Sequence, residues 1–300
     1  MTTQPAWQKL SLAVPQADVE SCEDALLAAG ALSVSLEEID DEPIFEPAPG
    51  QTPLWQRVRV SGLFPGDLSP ADLMTVLHRT LRPALLGEFD HEYLADIDWV
   101  HQTQADFPPA RYGKNLWVLP PWVDPSGYEG RHLMLDPGLA FGTGQHDTTA
   151  LCLEWLDSLD LQGKTVLDVG CGSGILAIAA LKLGAAMASG TDIDPQALKA
   201  SRDNAALNAI PVEQFWLGLP EDLPSAQRFD VLIANILAQP LITLAPALAP
   251  HLAPGGQFAL SGILRDQADA VAAQWHAQGL QVDQIITQGD WARIDGHRAD

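Results

Sequence analysis

The segment KTVLDVGCGSGILAIAALKLG, residues 164–184, has residue types and spacing suited to holding a phosphate or a nucleoside. An apolar run (Val166, Leu167, Val169) passes into Gly170-Cys171-Gly172-Ser173-Gly174 and directly into a helix-like run. Glycines permit unusual dihedrals and let a ligand lie against bare backbone, and a helix N-terminus offers N–H groups to an anion. A dinucleotide fingerprint would need its third glycine at 175, where Ile175 stands, and the Lys-Ser/Thr ending of a P-loop is absent. Twenty-two residues after Gly170 the next strand-like run ends in Asp192. An acid there can accept both hydroxyls of a ribose. A nucleoside with a small zwitterionic tail fits this pair better than a pyrophosphate does.

Such residues need a scaffold, and the hydrophobic pattern supplies one. From residue 113 onward strand-like and helix-like segments alternate: TVLDVG, SGILAIAALKLG, AMASGTD, PQALKASRDNAALN, QFWLG, FDVLIAN, QPLITLAPALAPHL, GQFALSG and RDQADAVAAQWHAQG. That rhythm predicts a doubly wound α/β sheet, mostly parallel. LQVDQIITQ and WARIDGHR should close it as an antiparallel hairpin at one edge. The first hundred residues read differently, as βαββαβ: WQKLSLAV, QADVESCEDALLAAG, ALSVSLEEI, LWQRVRVSGLF, SPADLMTVLHRTLRPALLG and EYLADIDWV. That is the order of a ferredoxin-like unit. Ser69 is expected to cap the second helix and Asp194 the helix that begins at Pro195. The expected division is a small α+β domain over 1–98, a Pro-rich linker over 99–112 and an α/β domain over 113–300.

The motif Asp168-Val-Gly170-Cys-Gly172-Ser-Gly174, followed by Asp192, resembles that of the class I S-adenosylmethionine-dependent methyltransferases. With LDPGLAFGTGQHDTTALCLEWL, VLIANILAQPL, LSGIL and GDWARIDGHR, the chain is similar to the PrmA family, which methylates large-subunit ribosomal protein L11. The resemblance spans about 113 to 298. It implies a seven-stranded methyltransferase sheet, a substrate-recognition role for the N-terminal domain, and methyl transfer to lysine side chains and the α-amino group. It places the S-adenosylmethionine contacts at Thr149, Gly170, Asp192 and Asn235, with Gly172 in the same glycine loop. Position 147, commonly proline in the family's loop, is Asp147 here.

Within that frame FGTGQHDTT, residues 141–149, reads as a loop packed over the cofactor, with Thr149 offering a hydroxyl to its methionine portion. His146 and Asp147 are adjacent and project differently, with no further His or Cys nearby for a metal site. No G-x-S-x-G elbow makes them triad partners. The plainer alternative is a turn in which Thr148 or Thr149 caps the following helix. Asn235 ends FDVLIAN, where amino-methylating enzymes often carry Asn-Pro-Pro-Tyr, and here Ile236-Leu237-Ala238 follows. Its carboxamide could hold an attacking amine and is the catalytic candidate; the alternative is a strand-end cap. Asp168 is expected to orient the loop's amides, and Cys171 to serve only as a small side chain. A same-fold enzyme acting on another protein or a small-molecule amine is the remaining reading of the function.

Composition bounds the partners. The net charge is −23, and the first hundred residues hold 17 acidic and 5 basic side chains. Such a field repels phosphate backbones and attracts cations, so a basic protein partner is expected and tight nucleic-acid binding is not. Three widely spaced cysteines argue against a disulfide framework or a zinc knuckle. The N-terminus lacks a signal-peptide pattern and no run reaches the roughly 18 apolar residues of a membrane span. A cytoplasmic monomer that binds neither membrane nor metal is the expectation.

Overall fold

The computed structural model describes residues 7–40, 54–86, 89–94, 107–136 and 146–300. The chain forms two compact units, Met1–Gln102 and Thr103–Asp300.

In the first unit β1 (Trp7–Pro15), α1 (Val19–Ala28), β2 (Ser33–Glu38), β3 (Arg57–Pro65), α2 (Pro70–Thr80) and β4 (Phe89–Leu94) follow one another. The sheet order is β2-β3-β1-β4 with antiparallel neighbours. This is the βαββαβ arrangement the alternation predicts. Strand side chains alternate between faces, so Leu10, Leu12 and Val14 of β1 join Val58, Val60 and Phe64 of β3 on one side. There they pack with Val19, Cys22 and Leu26 of α1 and with Leu73 and Leu77 of α2. Buried Gln8 is fully occupied: its amide donates to Pro65 O and Leu68 O, both at 2.8 Å, and Oε1 meets His91 Nε2 at 2.7 Å. Ser69 does take the extended N-cap conformation, but its hydroxyl makes no capping bond; Pro70 opens the helix without it. Residues 95–100 of the expected EYLADIDWV strand lie outside the described residues, as does the acidic stretch 41–53.

The second unit begins with three short strands that the sequence pattern did not reveal. They are β5 (Ala110–Tyr112), β6 (Leu116–Leu119) and β7 (Arg131–Met134), a separate three-stranded sheet. Ala110–Tyr112, expected within the 99–112 linker, is therefore a strand. Runs of three or four residues are too short to show a period of two, which is why the pattern missed them.

Beyond it come α3 (Asp147–Ser158), β8 (Thr165–Val169), α4 (Ile175–Lys182), β9 (Met187–Thr191), α5 (Pro195–Leu207) and β10 (Phe215–Gly218). Then follow β11 (Phe229–Asn235), α6 (Ala238–Leu248), β12 (Leu252–Leu264), α7 (Ala268–His276), β13 (Leu280–Gln288) and β14 (Trp291–Arg298). These build the seven-stranded sheet β10-β9-β8-β11-β12-β14-β13, in which β14 alone runs against the other six strands. The terminal hairpin forms at one edge, as expected, with β14 inside and β13 outermost. Alternate residues of the central strands feed two separate cores. Val166, Val231 and Ile233 pack with α4 on one face, and Leu167, Leu232 and Ala234 with α6 and α7 on the other. Helix α4 is buried from Ile175 to Leu181, consistent with an all-apolar helix in an interior layer.

The order in which strands are added reverses at β8. Strand β9 lies on one side and β11 on the other, so the carboxyl end of β8 is a topological switch point, where open α/β sheets bind ligands.

Candidate active site at the carboxyl ends of the central strands

At the end of β8 the three loop glycines, Gly170, Gly172 and Gly174, take φ of 71°, 53° and 78°. This left-handed path is one that side chains resist. Gly170 is further constrained by space, since a Cβ there would lie 2.3 Å from Ile236 Cγ2. Gly170 and Cys171 donate their N–H groups to Thr191 O at 2.8 and 3.0 Å, tying the loop to the end of β9. Gly172 N–H donates to Asp192 Oδ2 at 2.9 Å, and Asp194 N–H to Asp192 Oδ1 at 3.0 Å. The half-buried Asp192 carboxylate is thus held in place by backbone on both sides. Asp194 caps α5 as expected, accepting from Gln196 N–H at 2.8 Å.

Asp168 does something other than orient the loop's amides. Its Oδ2 accepts from Ala177 N–H at 3.1 Å, in the first turn of α4. Gly174, at that helix's N-cap, has no side chain to supply such a bond. Oδ1 of the buried Asp168 has no hydrogen-bond partner among the described residues. Burial pushes this carboxyl up to about 7; the Ala177 amide opposes the rise and the Asp192 charge adds to it. Burial likewise lifts the Cys171 thiol to about 12, so Cys171 carries no thiolate chemistry and acts as a small side chain.

Strand β11 brings in Asn235. Ile236 N–H donates to Ser261 O at 3.1 Å, and a Cβ on Gly262 (φ 82°) would sit 2.6–2.9 Å from three backbone atoms of Ile236. A glycine at 262 is what allows the Asn235-Ile236-Leu237 turn to lie against β12. The Asn235 Nδ2 then donates to Thr149 Oγ1 at 3.2 Å, joining two candidates 86 residues apart. That bond engages one N–H of the carboxamide and orients Oδ1 as its acceptor.

A cleft of about 460 Å³ opens here, lined mostly by apolar atoms. Gly170, Gly172, Asp192 and Asn235 line it; Thr149 is fully buried and stands behind Asn235. His146, Thr148 and Trp291 also line it, with the His146 and Trp291 rings edge to face at 4.8 Å. The residue type of Trp291, an aromatic that opens β14, does not by itself place it in the cleft. Residues 141–145 of FGTGQHDTT lie outside the described residues. The cap of α3 is neither threonine: His146 occupies that position, its Nδ1 accepting from Thr148 N–H at 3.4 Å. Asp147 accepts from Gln288 Nε2 at 2.8 Å. Among the described residues no cluster of His, Cys, Asp and Glu could hold a metal ion.

A cleft of this size at a switch point suits a nucleoside-sized ligand. Bare glycine backbone beside a fixed, half-buried carboxylate is compatible with an adenosyl-sized ligand. Fold and cleft together define a class I S-adenosylmethionine-dependent methyltransferase. The chain matches the family described as ribosomal protein L11 methyltransferase (PrmA) over residues 6–299, and it belongs to that family. It is 50% identical over 292 residues to the ribosomal protein L11 methyltransferase of Pseudomonas putida, covering 97% of this chain and 99% of the relative. It is 48% identical over 294 residues to that of Escherichia coli, with the same two shares. A crystal structure of a ribosomal protein L11 methylase from Lactobacillus delbrueckii subsp. bulgaricus superposes with a TM-score of 0.57 at 35% identity, over 64% of this chain and 99% of that one.

The placement of Asp192 yields a direct expectation. Asp192→Ala should weaken S-adenosylmethionine binding by about 10- to 100-fold, because a charged acceptor of two hydroxyls is worth about 1.5–3 kcal/mol. Thermal stability should fall far less, since the side chain is only half buried. Titration calorimetry of both proteins checks this, and unchanged affinity would remove Asp192 from the site.

Proposed function

We propose that this enzyme methylates amines of ribosomal protein L11, at lysine ε-nitrogens and the α-amino group, using the Asn235 carboxamide to orient the incoming nitrogen. The bond from Asn235 Nδ2 to Thr149 Oγ1 carries the reading, because it fixes the carboxamide with its oxygen available to an N–H donor. Asp192, Gly170 and Gly172 would hold the cofactor, with Thr149 acting behind Asn235. When bound, S-adenosylmethionine supplies a methyl group on a positively charged sulfur.

The chain's own residues supply the rest. A lysine side chain, with a pKa of about 10.4, is protonated in water and must release that proton to solvent before it can react. The apolar lining, including Ile236, Leu237 and Pro240, disfavours the charged ammonium and so promotes that loss. The Asn235 oxygen then accepts one of the remaining N–H bonds and aims the lone pair. Positioning of this kind speeds attack by the amine once it is neutral.

The first unit is proposed as the recognition module for the basic substrate, in view of its 17 acidic against 5 basic residues over 1–100. The net charge of −23 also speaks against tight binding of bare nucleic acid. Among the described residues no helix is long and apolar enough to cross a membrane. A cytoplasmic enzyme acting as a monomer is the corresponding proposal. The test is transfer of labelled methyl groups to a mixture of purified ribosomal proteins. Label should appear on L11; label confined to another protein, or to a small amine added as competitor, would reject the reading.

A further inference from the structure

Helix α5 buries a polar stripe where an apolar one would have packed without desolvation cost. Ser201, Asn204 and Asn208, spaced three and four apart on one face, are 0%, 5% and 4% exposed. None of them lines the cleft. Buried polar atoms need partners, and those of these three are largely backbone groups of other segments. Ser201 Oγ donates to Gly172 O at 2.9 Å and Asn204 Nδ2 to Ser173 O at 2.9 Å. Asn204 Oδ1 accepts from Asp136 N–H at 3.3 Å. Asn208 faces the end of β7 instead: Oδ1 accepts from Met134 N–H at 2.8 Å, and Nδ2 donates to Met134 O at 2.6 Å and to Asn204 O at 2.8 Å.

The contacts to Gly172 and Ser173 matter because glycine has little conformational preference of its own. A loop with glycines at φ 53° and 78° must be held by something outside it. Since peptides are planar, fixing the carbonyls of Gly172 and Ser173 sets the tilt of two successive peptide planes. The Gly172 N–H, in the preceding peptide plane, donates to Asp192 Oδ2, so Ser201 and Asp192 grip Gly172 from its two sides.

We propose that Asn204, together with Ser201, is a positioning residue for the cofactor. From behind the glycine loop they hold Gly172 and Ser173 in binding geometry, next to the Gly172 bond to Asp192, without touching the ligand. The inference rests on the reading of the cleft as the S-adenosylmethionine site.

The test compares Asn204→Ala and Ser201→Ala with Asn208→Ala in the full-length protein, measuring S-adenosylmethionine Kd by calorimetry, Tm, and the separate KM and kcat values. All three variants lose buried hydrogen bonds and should lower Tm. Asn204→Ala and Ser201→Ala should each raise Kd and cofactor KM by about tenfold, with kcat at saturating cofactor near wild type. Asn208→Ala, which is as buried but does not reach the loop, should keep the wild-type Kd. Asn204→Asp retains the acceptor for Asp136 and loses the donor to Ser173, so it should bind as weakly as Asn204→Ala. Should Asn204→Ala fail to fold, Ser201→Ala removes one hydroxyl and decides the same question. Wild-type Kd in the Asn204 and Ser201 variants, or equal weakening by Asn208→Ala, would overturn the proposal. Failure of the wild-type protein to bind the cofactor would instead reject the reading of the cleft.

Discussion

Asn235→Ala should keep most of the affinity for S-adenosylmethionine and lose on the order of 10²-fold in kcat, the usual cost of deleting one preorganised hydrogen-bonding group in a desolvated site. The Nδ2 bond to Thr149 Oγ1 at 3.2 Å is what preorganises this one. Raising the pH should not restore the rate, because the alanine enzyme lacks orientation and not merely deprotonation. Asn235→Asp separates the two effects. Its carboxylate keeps an acceptor but stabilises the ammonium form, which raises the amine's pKa in the site. The neutral, reactive amine then appears only at higher pH, so the ascending limb of the rate profile should move upward. Single-turnover methyl transfer against pH, at saturating cofactor, measures both variants. Wild-type rates in Asn235→Ala would return the residue to the role of a strand-end cap.

Removal of residues 1–98 should abolish methylation of the protein substrate while leaving cofactor binding nearly intact. The second unit, Thr103–Asp300, contains the glycine loop, Asp192, Asn235 and two hydrophobic cores of its own, so the cleft does not draw on the first unit for these residues. The first unit holds the denser acidic charge, which suits a basic protein partner. Calorimetry with S-adenosylmethionine and kcat/KM for L11 on the truncated chain are the two readouts. Full kcat/KM after truncation would show that the unit is not a recognition module.

Much of this architecture is visible in the sequence because the relevant signals are local. The glycine spacing 170-172-174 and the strand-to-helix transition around it are encoded within a dozen residues, and the structure gives all three glycines positive φ. Asp194 ahead of Pro195 is a local capping signal and behaves as one. What escaped the sequence reading depends on contacts distant along the chain. Asn204 and Asn208 look like ordinary polar positions of an amphipathic helix until α5 is seen to pack on the glycine loop and on β7. Trp291 lies 145 residues from the His146 ring it faces; its segment GDWARIDGHR carries the family resemblance but does not reveal that contact. The cap of α3 went to His146 over either threonine, because a histidine nitrogen can serve a role usually read from hydroxyl or carboxyl side chains. Asp168 serves a helix amide nine residues on, a partner that spacing alone does not single out from the loop's own amides.

The enzyme is expected to transfer methyl groups from S-adenosylmethionine to amine nitrogens of ribosomal protein L11. Intact and fragment mass spectrometry of purified L11, after incubation with the full-length enzyme and cofactor, tests it most directly. Whole methyl increments are expected on lysine side chains and on the N-terminal amine, none without cofactor, with a marked loss of them in Asn235→Ala. Unmodified L11, or methyl groups found only on carboxylates or on other proteins in the same mixture, would contradict it.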